Sequence, residues 1–133
     1  MFSEAFNLSW RDFESSTTYV LKELLNDELF TDVTLACEDN KQLRTRKVIL
    51  GASSTFFKNI FLNNSQQNLV IVLKGVTLEN LSSIKRFVYL GQTEVGQDDL
   101  EGFMTTAEGL EIKGLVPMAG LMKNYTGGQT KKI

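Results

Sequence analysis

Residues Phe30 to Phe61 read FTDVTLACEDNKQLRTRKVILGASSTFFKNIF, and their pattern decides the architecture. Val33, Leu35 and Cys37 alternate with Thr34 and Ala36, the period-2 signature of a strand with one apolar face. Glu38-Asp39-Asn40-Lys41 follows; Asp and Asn bond to nearby amides and accept tight backbone geometry, so this is turn chemistry. Leu43, Thr45 and Lys47 share one side of the returning strand. After Lys47 the period changes. Val48, Ile49, Leu50 and Ala52, then Phe56, Phe57, Ile60 and Phe61, suit buried helical segments rather than another strand. A β-hairpin feeding two apolar helices is the nucleus of an α+β domain.

The 133 residues form one domain, a size at which roughly 65–70% of the unfolded chain's surface is buried. With 14 basic and 16 acidic residues the net charge is -2, so no basic field spans the domain and direct nucleic-acid binding by this segment is not expected. The single cysteine, Cys37, allows no internal disulfide and suits a reducing compartment; in a strand it reads as a small buried hydrophobe. No histidine occurs. Ser-His-Asp and Cys-His catalysis and imidazole-bound zinc are therefore excluded. Without a glycine-rich phosphate loop either, no enzyme, cofactor or metal is expected. No apolar run approaches the ~20 residues of a membrane span, and MFSEAFNLSW lacks signal-peptide features, so an intracellular protein without membrane contact is expected. The sequons at Asn7, Asn63, Asn80 and Asn124 then read as chance matches.

On the N-terminal side, Phe6, Leu8 and Trp10 alternate with Asn7 and Ser9, a short aromatic strand. Such a strand needs a partner, either an edge of its own sheet or another chain. Asp12 caps a helix with apolar positions Phe13, Thr17, Val20, Leu21, Leu24 and Leu25, facing the core or a partner. On the C-terminal side, a polar loop at residues 63–67 precedes NLVIVL at 68–73, apolar on both faces and so expected as a covered interior strand. Thr77 caps a helix carrying Leu78, Leu81, Ile84, Phe87 and Val88, which Gly91 stops, and Thr93 to Val95 form a short strand. Gly96-Gln97-Asp98-Asp99 turns into a helix with Leu100, Phe103, Met104, Ala107 and Leu110; the two aspartates serve the helix start rather than a metal. Lys113-Gly114 ends it, Pro117 opens a last short helix through Met118, Leu121 and Met122, and Asn124 to Ile133 reads as a frayed tail or linker.

Four segments in this order resemble a BTB/POZ domain: Phe30 to Leu35 (FTDVTL), Lys47 to Ser54 (KVILGASS) leading to Phe56-Phe57, Phe87 to Gly91 (FVYLG) and Ala107 to Leu115 (AEGLEIKGL). Phe6-Asn7-Leu8-Ser9-Trp10 is similar to the aromatic first strand of the tramtrack-type subgroup of arthropod transcription factors. The resemblance covers residues 5–116, leaving 117–133 as a short helix and a flexible tail or linker. It implies a short β-sheet flanked by α-helical hairpins, with an N-terminal strand exchanged between protomers of an obligate dimer. Such interfaces commonly exceed ~2,000 Å². In the subgroup the strand also builds larger, hexamer-like rings. The implied oligomerisation residues are Phe6, Leu8 and Trp10 on the strand and Phe13, Val20, Leu21 and Leu24 on the first helix.

Asp32 and Lys47 match the positions of a charged pocket in the family. Two readings stay open: recruitment of a partner, or a fold-fixing role in which Asp32 bonds backbone amides and Lys47 lies along an interface. Arg46 stands where the family usually has histidine, Thr45 where it has alanine and Arg11 where the subgroup has asparagine, so the hairpin-to-helix corner is chemically altered. The resemblance implies a homo-oligomerisation domain of a nuclear transcription or chromatin regulator, which multiplies DNA-binding modules lying outside this segment. Its expected partners are itself and, beyond that, related BTB domains or transcriptional co-regulators. The alternative is a substrate adaptor for a cullin-type ubiquitin ligase; Leu73-Lys74-Gly75-Val76 lacks the glutamate such adaptors carry there.

Overall fold

A computed structural model describes residues 3–115. The hairpin forms as the alternation requires: β1 (Val33–Ala36) and β2 (Gln42–Thr45) run antiparallel, with Val33 opposite Thr45 and Ala36 opposite Gln42. A 3-10 turn at Glu38–Asn40 links them; Asn40 takes φ 60°, and the Cys37 N–H donates to the Lys41 carbonyl at 2.7 Å. β2 ends at Thr45, so Lys47 belongs to the next helix rather than to the strand. Cys37 is buried, and that burial pushes its thiol pKa up, as befits an inert core thiol.

β3 (Leu69–Val72) lies parallel to β1 on its other side, giving the order β2-β1-β3. Parallel neighbours need a long crossover, supplied by α2 (Lys47–Ser53) and α3 (Thr55–Asn63). β3 is therefore an edge strand, not the covered interior strand expected from NLVIVL. Leu69 and Ile71 pack on the core while Val70 and Val72 are exposed. Apolar composition shows what a strand can bury, not what the rest of the chain provides to cover it.

The helices α1 (Phe13–Leu25), α4 (Leu78–Leu90) and α5 (Leu100–Gly109) complete the described architecture. Thr77 Oγ1 accepts from the Asn80 N–H at 3.1 Å and starts α4. Gly91, at φ 79°, ends it with its N–H on the Phe87 carbonyl at 2.7 Å, a left-handed cap that glycine adopts without steric cost. α4 packs against α1, α2, α5 and β2. The core joins Val33 and Leu35 of β1 to Leu50, Phe57, Leu81, Ile84, Phe103 and Ala107 of the helices, with Ile112 and Leu115 closing it.

Ser54, fully buried, makes the elbow between α2 and α3. Its Oγ accepts from the Phe57 N–H at 3.0 Å and donates to the Leu110 carbonyl at 2.6 Å, tying the elbow to the end of α5. A bridge between Ser54 and Ile112 and the Lys113 N–H on the Ser53 carbonyl at 2.8 Å reinforce the junction. Ser54→Ala loses a helix cap and strands a buried carbonyl, so it should lower the unfolding free energy by ~2–3 kcal/mol in urea titrations. A loss below ~0.5 kcal/mol, the range of ordinary surface substitutions, would mean that apolar packing alone holds the elbow.

Three local expectations change. Asp12 occupies the N-cap of α1, but its carboxylate makes no cap bond; its carbonyl instead accepts from the Ser16 N–H at 2.9 Å. Thr93 to Val95 form no strand, and Val95 packs on the core from a loop. Asp98 and Asp99 lie in a 3-10 turn, Gln97–Asp99, ahead of α5 and make no side-chain cap bond, so they act there through position and charge alone. The expected helix from Pro117 and the tail from Asn124 lie outside the described residues.

Candidate functional site

Residues 3–10 form no strand and join no edge of the chain's own sheet. Phe6, Leu8 and Trp10 are instead 79, 91 and 63% exposed. The Trp10 ring meets Phe13 edge-on at 5.2 Å, and the Phe13 N–H donates to the Trp10 carbonyl at 3.2 Å, so the arm runs directly into the first turn of α1.

On α1, Phe13 and Val20 are exposed, Leu21 and Leu24 are half-buried and Leu25 is buried. The sequence-derived stripe thus serves two ends: its inner residues pack the helix on α4 and its outer residues remain on the surface. Tyr19 is also exposed, and the Glu23 carboxylate one turn on raises the pKa of its phenol. Leu29 and Phe30, in the turn after α1, are surface residues that the sequence pattern does not single out. Phe30 is 84% exposed at φ 63°, a left-handed conformation unusual for so large a side chain. No periodicity marks it, because it belongs to a turn and not to a repeating face. Exposed apolar side chains grouped on an arm and its adjoining helix mark an interaction surface.

Asp32 and Lys47 lie side by side without pairing their charges. Asp32 Oδ1 accepts from the Lys47 backbone N–H at 2.7 Å, which satisfies the first turn of α2. The Lys47 ammonium donates to the Gln66 carbonyl at 2.6 Å. Both line an open hollow of about 510 Å³, with Val48, Gly51 and Phe61 along it and Lys58 and Lys113 nearby. Among the described residues no group of three or more His, Cys, Asp or Glu side chains could hold a metal ion, and no helix is long and apolar enough to cross a membrane.

The corner between β2 and α2 carries most of the buried polar chemistry. Arg44 Nη1 donates to Thr34 Oγ1 at 2.8 Å and its Nε to Thr31 Oγ1 at 3.1 Å, covering the outer face of β1. Lys85 donates to the Arg44 carbonyl at 3.0 Å and lies 5.5 Å from the centre of the Tyr89 ring; Arg46 approaches the same ring at 5.8 Å. Desolvation first, then repulsion from Arg46, lowers the Lys85 pKa, with Glu28 acting in the opposite sense. A lysine lowered in the folded state carries a penalty that is full below its folded pKa and lifts as pH rises toward the ordinary value. Wild type should therefore gain stability relative to Lys85→Met between neutral pH and about pH 10. Paired urea midpoints across that range test this, and a flat difference contradicts it.

A family model described as BTB/POZ domain matches residues 21–122. The chain belongs to the BTB/POZ family. It is 35% identical over 120 residues to the longitudinals lacking protein-like of Drosophila melanogaster, covering 90% of this chain and 94% of that protein. To the tramtrack protein, alpha isoform, of the same organism it is 37% identical over 115 residues, covering 86% of this chain but only 14% of the relative. The BTB domain of zebrafish PATZ1 superposes with a TM-score of 0.74 at 16% identity, over 91% of this chain and 100% of that one, which supports the α+β fold. A BTB/POZ domain is a protein-interaction module of a non-enzymatic family. The exposed arm and outer face of α1 present Phe6, Leu8, Trp10, Phe13, Tyr19 and Val20, and the arm precedes the stretch matched by the family model.

Proposed function

We propose that this BTB/POZ domain is the self-association module of a nuclear transcription or chromatin regulator, and is not itself an enzyme. It multiplies DNA-binding modules located outside these residues. The observation that carries this reading is the exposed arm joined to an exposed helix face: Phe6, Leu8, Trp10, Phe13 and Val20 are all on the surface, within one short stretch of chain. Burying a large apolar side chain yields ~1.5–3 kcal/mol, so these side chains favour a second copy through α1. Exchange of the arm then completes the dimer and ties dimers into larger rings such as hexamers. Linking weak binding modules in this way gains ~10²- to 10⁴-fold in avidity without any new contact to DNA. Kinship with tramtrack, of which this chain spans 14%, supports the nuclear setting.

The Asp32-Lys47 hollow favours the fold-fixing reading over recruitment of a co-regulator. The carboxylate already satisfies the start of α2, and the ammonium is already held by Gln66. Similarity to a second BTB/POZ protein over 94% of its length favours a second reading, in which the domain joins related BTB/POZ domains. Light scattering after size exclusion tests self-association: a dimer or larger species is expected at micromolar concentration, and monomers overturn the reading. Robust capture of a cullin by the same chain would favour the adaptor role instead.

A further inference from the structure

Arg46 joins β2 to α2 with 4% of its surface exposed. Its hydrogen-bond acceptors are all uncharged oxygens. Nη1 donates to the Leu24 carbonyl at 2.8 Å and to the Tyr89 hydroxyl at 2.9 Å. Nη2 donates to the Asp27 carbonyl at 2.9 Å and to the Leu29 carbonyl. The Tyr89 hydroxyl, in α4, also bonds to Thr45 Oγ1 at 2.9 Å. Nε is buried without a partner.

Burying a charge that meets no carboxylate is costly, and substituting apolar packing for such a group is often neutral or stabilising. Stability alone therefore explains this arginine poorly. Its contacts are concentrated: the three carbonyls belong to the last turn of α1 and the turn that follows, while the hydroxyl belongs to α4. A cation there faces the negative end of the α1 dipole. The planar fork of a guanidinium is the side chain able to hold several acceptors in one fixed arrangement. The segment it grips leads straight to Phe30, exposed in a left-handed conformation, and such strained residues persist only where their surroundings over-determine them.

We propose that Arg46 is a positioning residue for the association surface. It clamps the C-terminal end of α1 and the turn through Leu29 to Tyr89, and so holds the outer face of α1 in the orientation in which two copies pair. This rests on the self-association reading above.

The test is Arg46→Lys in the full chain, which keeps the charge and loses the fork. Thermal unfolding, amide hydrogen exchange of residues 25–31 and the dissociation constant of self-association by dilution are read together. The variant should unfold cooperatively, exchange those amides ~10-fold faster and associate ~10-fold more weakly. Unchanged association, or faster exchange spread evenly over the chain, overturns the positioning role. Tyr89→Phe removes one acceptor and should move both readouts ~3-fold in the same direction; should the lysine variant fail to fold, no change in association by Tyr89→Phe overturns the proposal. A parent chain that stays monomeric sinks the self-association reading and this role with it. An associating parent with an equally associating Lys variant sinks this role alone.

Discussion

Removing residues 1–11 is expected to reduce the assembly to a dimer, with the whole chain running as a larger species in light scattering. The arm carries Phe6, Leu8 and Trp10 on the surface, and none of them packs into the described core. Deleting them should therefore leave the remaining domain cooperatively folded while changing its mass. Replacing the same three residues by alanine in the full chain should reproduce the mass change, because their apolar area is what the arm contributes to an interface. Equal masses for the whole and shortened chains would mean that the arm is no assembly element beyond the basic dimer.

Phe57→Ala is expected to destabilise the domain more than Ser54→Ala does at the same elbow. The ring is fully buried, meets Phe56 edge-on at 5.2 Å and stacks on Phe61 at 5.9 Å. Its backbone N–H also takes the cap from Ser54, so the cavity would open where α2 and α3 join the end of α5. Large-to-small changes at such sites cost ~3–5 kcal/mol, against total stabilities of ~5–15 kcal/mol. Urea unfolding monitored by circular dichroism measures it. A loss below ~1.5 kcal/mol would show that Phe56 and Phe61 collapse into the space, contrary to rigid packing of the three rings.

The β1–β2 hairpin, the crossover pair α2 and α3, and the limits of α4 are legible in the sequence because local chemistry determines them. Alternation at Val33 and Leu35, the polar turn at Glu38 to Lys41, and the cap and stop at Thr77 and Gly91 act over a few residues each. What is not legible depends on distant partners. Nothing in the run Thr45-Arg46-Lys47 announces that the middle residue reaches back to carbonyls of residues 24–29 and across to residue 89. Ser54 is equally silent, since its second partner lies 56 positions away. The same cause misplaces NLVIVL: residues so apolar can serve an interior strand, yet among the described residues only β1 lies at its side. Thr93 to Val95 have strand composition but pair with no strand among the described residues.

The proposed oligomerisation residues divide along the same line. Alternation of Phe6, Leu8 and Trp10 reads as a strand in need of a partner; in the structure residues 3–10 form no strand and the three side chains are exposed. The α1 stripe is harder to read, because Leu21, Leu24 and Leu25 turn wholly or partly inward while Phe13 and Val20 do not. Helical periodicity alone cannot separate a core face from a partner face when both are apolar. Asp32 and Lys47 do lie side by side, but hydrogen bonds to backbone groups, which no side-chain pattern encodes, occupy both charges.

Pairing of the arm with another chain is tested most directly by amide hydrogen exchange of residues 6–10, followed from nanomolar to high micromolar chain concentration. Protection of these amides should appear and grow as the chains associate, in step with the rise in mass, because a strand paired to a second chain loses its exposed N–H groups to hydrogen bonds. Amides that exchange at the unprotected rate at every concentration, while the mass still rises, would contradict it and leave α1 as the sole basis of association.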